Sequence, residues 1–285
     1  MFTLIFLGAI FTLARANNHR VEDLQPKVFP PKSLHRLILS KSPIDNKIIN
    51  GNEVDKHSIP YQAGIFFDLP NGKQGFCGGS LISNRYILTA AHCTNGSLSA
   101  EVILGAHHIW EDEPTQIRIK SSELRTHELY GTNGNLYDIG LIQLPNPVKL
   151  NKHINTVSLP SRKHESHSFV DEDARVSGWG ITSDDATGIS DVLKSAESFI
   201  MENWLCSLFF FGMVRDSHIC SDGHTSQVSA CRGDSGGPIV VDNVQVGLVS
   251  FGSGFGCESM WPTVYTRITS YLDWIEKHTD VKIKE

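Results

Sequence analysis

The chain has 285 residues, 40% of them hydrophobic and 20% charged, enough to bury a full core as one large domain or two fused halves. Its formal net charge is −6 and unevenly spread: residues 48–285 hold 18 Lys and Arg against 28 Asp and Glu, a formal −10. That acidic balance argues against nucleic acid as a partner.

The N-terminus opens with an apolar run, Met1 to Leu13, too short to span a bilayer comfortably. It ends in Ala14-Arg15-Ala16, a small-x-small cleavage pattern. Residues 1–16 therefore read as a secretory signal peptide whose n-region lacks Lys or Arg; a buried strand or an anchor helix is the competing reading. No later segment is apolar enough to anchor the chain, so the expectation is a secreted protein with no membrane partner. Residues 17–47 carry Pro26, Pro30, Pro31 and Pro43 with scattered Lys and Arg and no cysteine, the composition of an extended segment with little core of its own. The character changes at Asn46-Lys47-Ile48-Ile49-Asn50-Gly51.

From 48 to about 268 the chain is a series of short β-branched runs broken by Gly, Asn, Asp and Pro. Ser80–Ser83, Tyr86–Leu88, Val102–Leu104, Gln116–Ile119, Gly140–Leu144, Ile239–Val241 and Val246–Ser250 are examples. Many short strands with turn signals between them predict an all-β sandwich or a pair of barrels rather than βαβ units. Within this region Asn95-Gly96-Ser97 is the one N-x-[ST] sequon, an acceptor for glycosylation in a secreted chain, against the alternative of an unmodified loop. Met201–Leu208 reads as a short helix before Phe209-Phe210-Phe211, an aromatic trio expected in the core or at a pocket rim. Near the end, Ile268, Leu272 and Ile275 fall at i, i+4 and i+7, and Ser270 to Asp273 has the form of a capping box. A short C-terminal helix ending near His278 is predicted.

The six cysteines, Cys77, Cys93, Cys206, Cys220, Cys231 and Cys257, are an even set in an oxidising compartment, and sequence alone leaves many pairings open. A metal site is the competing use, but no C-x-x-C spacing occurs. His107-His108 and His164 with His167 lack a nearby acid or thiol set and read as surface histidines.

The most informative stretch is Gly233-Asp234-Ser235-Gly236-Gly237-Pro238. Its glycines tolerate φ > 0 and let backbone N–H groups point into a small concavity beside a hydroxyl, as a developing oxyanion requires. A lone G-x-S-x-G would be an ordinary turn. Here it has two upstream companions: His92 in Leu88-Thr89-Ala90-Ala91-His92-Cys93, and Asp138 in Tyr137-Asp138-Ile139-Gly140-Leu141. A hydroxyl nucleophile, an imidazole base and a carboxylate in the order His…Asp…Ser resemble the chymotrypsin-like (trypsin-family, S1) serine peptidases. The resemblance covers residues 48 to about 280. It is nearest the arthropod chymotrypsin and collagenase type, the brachyurin-like members, on Leu104-Gly105-Ala106-His107-His108-Ile109 and Ser250–Cys257.

The resemblance implies a fold of two antiparallel six-stranded β-barrels, with a boundary near 150–165, the active site between them and a short C-terminal helix. It implies His92, Asp138 and Ser235 as catalytic residues, and the N–H groups of Gly233 and Ser235 as the oxyanion hole. It pairs Cys77 with Cys93, Cys206 with Cys220 and Cys231 with Cys257. Residues 17–47 become an activation propeptide, cut between Lys47 and Ile48 so that the Ile48 ammonium pairs with Asp234. In the substrate pocket, Ser229 stands where trypsin-like relatives place an Asp for Lys or Arg substrates. Ser250 and Gly252 line the substrate backbone, Thr263 shortens the floor, and Arg232 sits beside the oxyanion loop. These imply an endopeptidase preferring medium to large apolar P1 residues. Elastase- or collagenase-like breadth, or a non-catalytic homologue, are the alternatives. No cofactor is implied, and Ala106 removes a calcium-ligating Glu of trypsin-like relatives, so no metal is expected. The implied partners are protein or peptide substrates, an activating trypsin-like protease and protein inhibitors, with the protein itself a monomer.

Overall fold

The structure, a computed structural model, describes residues 51–285. The expected signal peptide, the expected propeptide and its cleavage point between Lys47 and Ile48 lie outside the described residues, as does Ile48, the expected partner of Asp234.

Two antiparallel sheets divide the chain. The first takes β2 (Gln62–Asp68), β3 (Gln74–Leu81), β4 (Tyr86–Thr89), β5 (Ser99–Leu104), β6 (Ile117–Ser121), β7 (Leu124–Thr126) and β8 (Gly140–Gln143), in the order β6-β5-β2-β3-β4-β8-β7. Its two edges, β6 and β7, are parted in sequence by Ser122 and Glu123 alone. The sheet therefore curls into a half-barrel whose edges are two pieces of one bent segment. That is how seven strands stand where the resemblance implies six. The second sheet holds β9 (Asp173–Gly178), β10 (Lys194–Met201), β11 (His218–Ser221), β12 (Pro238–Val241), β13 (Val244–Phe251) and β14 (Thr263–Arg267). Because β9 pairs with both β12 and β10, these six close into a barrel. The seventh strand, β1 (Asn52–Glu53), joins β10 with Glu53 opposite Lys194.

Turn chemistry fixes the local registers. The β12–β13 hairpin turns at Asp242-Asn243, both at positive φ (46° and 63°), the arrangement that a tight two-residue turn requires and that Asp and Asn accept. Each barrel fills with its own branched and aromatic side chains, Ile65, Phe67, Val102 and Ile142 in the first and Val176, Ile219, Ile239 and Tyr265 in the second. A third cluster, including Leu88, Ile139, Leu141, Leu248 and Ile268, lies between them. Polar bonds also cross from half to half: Ser80 Oγ donates to Gln245 Oε1 (2.6 Å), Ser177 Oγ to Gln62 Oε1 (2.6 Å) and Trp179 Nε1 to the His107 carbonyl (3.0 Å). Buried in this way, they fix the relative placement of the barrels more sharply than apolar contact alone.

Three disulfides join Cys77 to Cys93, Cys206 to Cys220 and Cys231 to Cys257. The helix expected at 201–208 runs over Asn203–Phe209. Of the aromatic trio, Phe210 is buried against Phe251 and Phe211 is exposed. The C-terminal helix is Leu272–His278, with Ile268, Leu272 and Ile275 buried as their spacing predicts. Its capping box does not form: a 3₁₀ turn over Ile268–Tyr271 places Ser270 inside the turn, and Tyr271 takes the N-cap position. His107 also departs from the surface reading. It is wholly buried, and its Nε2 lies 2.8 Å from Glu53 Oε1, an acid 54 residues away that local spacing could not reveal.

Candidate active site

His92 sits in the short helix Ala91–Thr94, directly after β4, and the Cys77–Cys93 disulfide ties that helix to β3. Asp138 directly precedes β8, the strand paired with β4, with Thr89 opposite Gly140. The pairing brings acid and imidazole together. Asp138 Oδ1 accepts the His92 backbone N–H (2.9 Å), and Oδ2 lies 2.8 Å from His92 Nδ1. Ser250 Oγ donates to the same Oδ2 at 2.5 Å from β13 of the second barrel. Burial pushes the Asp138 carboxyl up, but the His92 charge and the hydrogen bonds from His92 and Ser250 outweigh it and hold the group below its ordinary value. The main chain at this point is braced as well. Tyr137 has φ +62° and donates its N–H to Tyr271 Oη (3.1 Å), and Thr266 Oγ1 donates to the Asp138 carbonyl (2.8 Å).

Ser235 lies in the turn between Cys231 and β12. Its carbonyl accepts the N–H of Gly78 (2.8 Å) from the first barrel, and Cys93 Sγ, next to His92, is 3.8 Å from it. The three residues, far apart in sequence, thus converge where the two barrels meet. Ser235 Oγ is buried and makes no hydrogen bond to a described residue. The turn's own bonds use the N–H groups of Asp234 (to Cys231 O, 2.9 Å), Gly236 (to Val249 O, 2.8 Å) and Gly237 (to Asp234 O, 2.8 Å). Those of Gly233 and Ser235 take no part in them. Gly233 has φ +98°, which turns its peptide in a direction that other residues rarely allow.

Asp234 turns the other way, toward Gly178 and Gly180 at the end of β9, and is fully buried. Its carboxylate accepts from Gly180 N (2.8 Å) and Cys231 N (2.9 Å). A Cβ on Gly180 would run into this carboxylate, so the close approach needs glycine there. Burial pushes the Asp234 carboxyl up to about 6, against the pull of the two N–H donors.

The residues assigned to the pocket also gather. Ser229 and Thr263 are both buried, their hydroxyl oxygens 3.3 Å apart. Gly252 continues from β13, and a side chain there would meet open space. The backbone carbonyl of Arg232 accepts Ile181 N–H (2.8 Å). Asn95 is exposed at the end of the His92 helix, while Ser97 Oγ of its sequon donates to Cys93 O (2.9 Å).

Residues 48–275 match the Trypsin family. The chain belongs to the trypsin family of serine proteases. Brachyurin of Leptuca pugilator is 44% identical over 82% of this chain and 99% of its own length. Chymotrypsin of Phaedon cochleariae is 39% identical over 88% of this chain and 90% of that one. Among solved structures, HL collagenase superposes with a TM-score of 0.76 at 36% identity, covering 82% of this chain and all of that one. These relatives bear out the arthropod chymotrypsin and collagenase affinity. In a trypsin-family protease the substrates are proteins. Among the described residues no helix is long and apolar enough to cross a membrane.

Sequence reasoning missed the Ser250 hydroxyl. Ser250 was expected to meet the substrate backbone, and its bond to Asp138 spans 112 residues with no local signature.

Proposed function

We propose that the protein is a secreted serine endopeptidase, made as a zymogen and acting through Ser235, His92 and Asp138. The observation that carries the mechanism is the Asp138–His92 pair. A buried carboxylate on Nδ1 holds the imidazole in the tautomer that leaves Nε2 as a proton acceptor, and it stabilises the imidazolium once formed. Ser235 Oγ attacks the substrate carbonyl carbon while its proton passes to His92 Nε2. The electron pair of the C=O bond moves to oxygen, where the N–H groups of Gly233 and Ser235 receive the charge. His92 then protonates the leaving amine, the acyl–serine ester forms, and water reverses the sequence. Each oxyanion donor is worth about 2.7–4 kcal/mol of barrier.

Activation follows from Asp234. A carboxylate buried on backbone N–H groups alone favours its neutral form. Cleavage after Lys47 by a trypsin-like protease would supply the Ile48 ammonium, a partner that ionises it and orders the adjoining Gly233–Ser235 turn. The signal-like Met1 to Ala16 and the three disulfides support passage through an oxidising secretory route, and the exposed Asn95 would be glycosylated there.

For specificity, the hydroxyls of Ser229 and Thr263 offer no carboxylate to a basic P1 side chain, and the Thr263 methyl shortens the floor. The preference is for medium to large apolar P1 residues. The filled floor also favours a second reading, in which Leu and Met outrank Phe and Tyr and selectivity is broad. The test is kcat/KM of protein activated at Lys47 on matched peptides with Leu, Phe, Tyr, Lys and Arg at P1, with and without Thr263→Gly. Strong cleavage after Lys or Arg overturns the pocket assignment. Thr263→Gly is expected to raise the Phe/Leu ratio about tenfold, the scale of a methylene-sized change in fit. Stoichiometric labelling of Ser235 by a phosphonate separates an enzyme from a non-catalytic homologue.

A further inference from the structure

One side chain outside the triad and the pocket joins the loop after β9 to the segment 256–258. Asp184 lies in the loop after β9 and the Trp179-Gly180 pair. This loop already holds two parts of the site through its main chain, with Gly180 N–H on Asp234 and Ile181 N–H on the Arg232 carbonyl (both 2.8 Å). Ile181 is buried against the Cys231–Cys257 disulfide. Three residues further on, Asp184 Oδ1 accepts the N–H of Cys257 (2.8 Å) and Oδ2 that of Glu258 (3.1 Å), across 73 and 74 residues of sequence. Glu258 Oε2 in turn accepts the N–H of Asp184 (3.0 Å). Two carboxylates thus cap each other's backbone. Gly256, at φ +98°, lets the Asp184 carboxylate come so close that a Cβ there would meet it.

The segment that Asp184 holds follows Gly252 and runs up to Thr263, and is the wall of the proposed pocket. Its own backbone-to-backbone bonds are long by comparison, and its short internal bonds run through side chains, Ser259 Oγ to Gly256 O (2.6 Å) and Phe255 N–H to Ser253 Oγ (3.0 Å). Gly256 N to Ser253 O is 3.3 Å, and Ser259 N to Gly256 O and Met260 N to Cys257 O are each 3.4 Å. The short bonds on the wall's backbone N–H groups at 257 and 258 are charge-assisted and come from Asp184.

We propose that Asp184 is a positioning residue that sets P1 selectivity by fixing the 256–258 wall, without touching substrate. The inference rests on the protease reading and deepens it. Without the carboxylate, the Cys257 and Glu258 N–H groups lose their acceptor. The wall is left to its long backbone bonds, the Ser259 and Ser253 side-chain bonds and the disulfide, none of which ties it to the loop after β9 except Cys231–Cys257 through Ile181. The wall then moves relative to the floor at Ser229 and Thr263. His92 and Asp138 stay in place, because they are held by each other, by Ser250 and by Thr266, none of which touches Asp184.

The experiment measures kcat and KM of protein activated at Lys47 on matched peptides with Ala, Leu, Met, Phe and Tyr at P1, alongside melting temperature. Asp184→Ala removes both charge-assisted bonds and is expected to raise KM at least about tenfold for the large P1 residues, the low end of what one such bond is worth. Its kcat should stay within about twofold, and Ala at P1 should be nearly unaffected, so the selectivity profile flattens. Asp184→Asn keeps one acceptor oxygen and should recover most of the selectivity, and Glu258→Gln should resemble the wild type. An Asp184→Ala profile equal to wild type overturns the proposal. So does a loss spread evenly over all P1 residues, or a fall in kcat that merely follows a lower melting temperature. Wild-type protein that neither hydrolyses the peptides nor takes up phosphonate overturns the protease reading itself.

Discussion

Two aspartates, each fully buried and each within reach of the reactive turn, are held in opposite ways. Asp138 lies among side chains that donate to it, one of which can carry charge, and its carboxyl is held below its ordinary value. Asp234 has two backbone N–H groups from described residues, and burial pushes it up to about 6. Burial alone favours a neutral acid, and the partner decides whether charge survives. On the proposed mechanism Asp138 needs its charge at all times, to serve His92. Asp234 needs it only after Ile48 is freed, which makes it a suitable switch.

The largest expected effect breaks the first side of the comparison. Asp138→Asn keeps the shape of the site but offers His92 Nδ1 an amide in place of a carboxylate, so the tautomer is lost. kcat of the activated protein should fall on the order of 10⁴-fold at neutral pH, with KM little changed. A loss below about tenfold would mean that the buried pair does not orient the base.

The second prediction concerns Asp234 in the uncleaved chain, where residue 48 has no free amine. A folded-state value of about 6 against an ordinary 3.8 means that the native state holds a proton more firmly than the unfolded chain. The associated stability is full below 3.8 and is lost as pH rises through about 6, up to roughly 3 kcal/mol. Asp138 has the opposite sign: its contribution is present above its ordinary value and lost at pH below it. Uncleaved Asp234→Asn should therefore gain on the wild type by several degrees of melting temperature between pH 4 and 7. After cleavage the same change should reduce activity, because the ammonium no longer finds a carboxylate. Equal pH dependence of the two uncleaved proteins would show that Asp234 is already ionised.

How much of this was legible in the sequence depended on distance along the chain. Ser235 and His92 stand in local runs whose glycines, alanines and cysteine are themselves informative, and Ile268, Leu272 and Ile275 announced a helix face by spacing. The half-barrel was less visible, because β6 and β7 look like one run and their break at Ser122-Glu123 carries no turn signature. The bonds of Ser250 to Asp138, Asp184 to Cys257 and Tyr271 to Tyr137 link residues more than seventy positions apart, with no shared motif. His107 misled for the same reason, since its acid partner Glu53 arrives on β1 from the second sheet.

The smallest expected effect sharpens the comparison. Ser250 supplies one of the bonds that distinguish Asp138 from Asp234, and Ser250→Ala removes that hydroxyl while leaving the backbone that the substrate is proposed to meet. A hydrogen bond to a charged group contributes about 1.5–3 kcal/mol, so its loss raises the Asp138 carboxyl and leaves its remaining charge less stabilised. That charge then leans more on His92, which becomes harder to deprotonate. The acid limb of the kcat/KM profile should move to higher pH, by about one unit if about 1.4 kcal/mol of the lost stabilisation passes to the His92 imidazolium. kcat at neutral pH should fall about tenfold, and KM should hold. An unmoved acid limb would show that the two His92 bonds suffice to keep Asp138 charged, and that the 2.5 Å contact from Ser250 positions the carboxylate without tuning it.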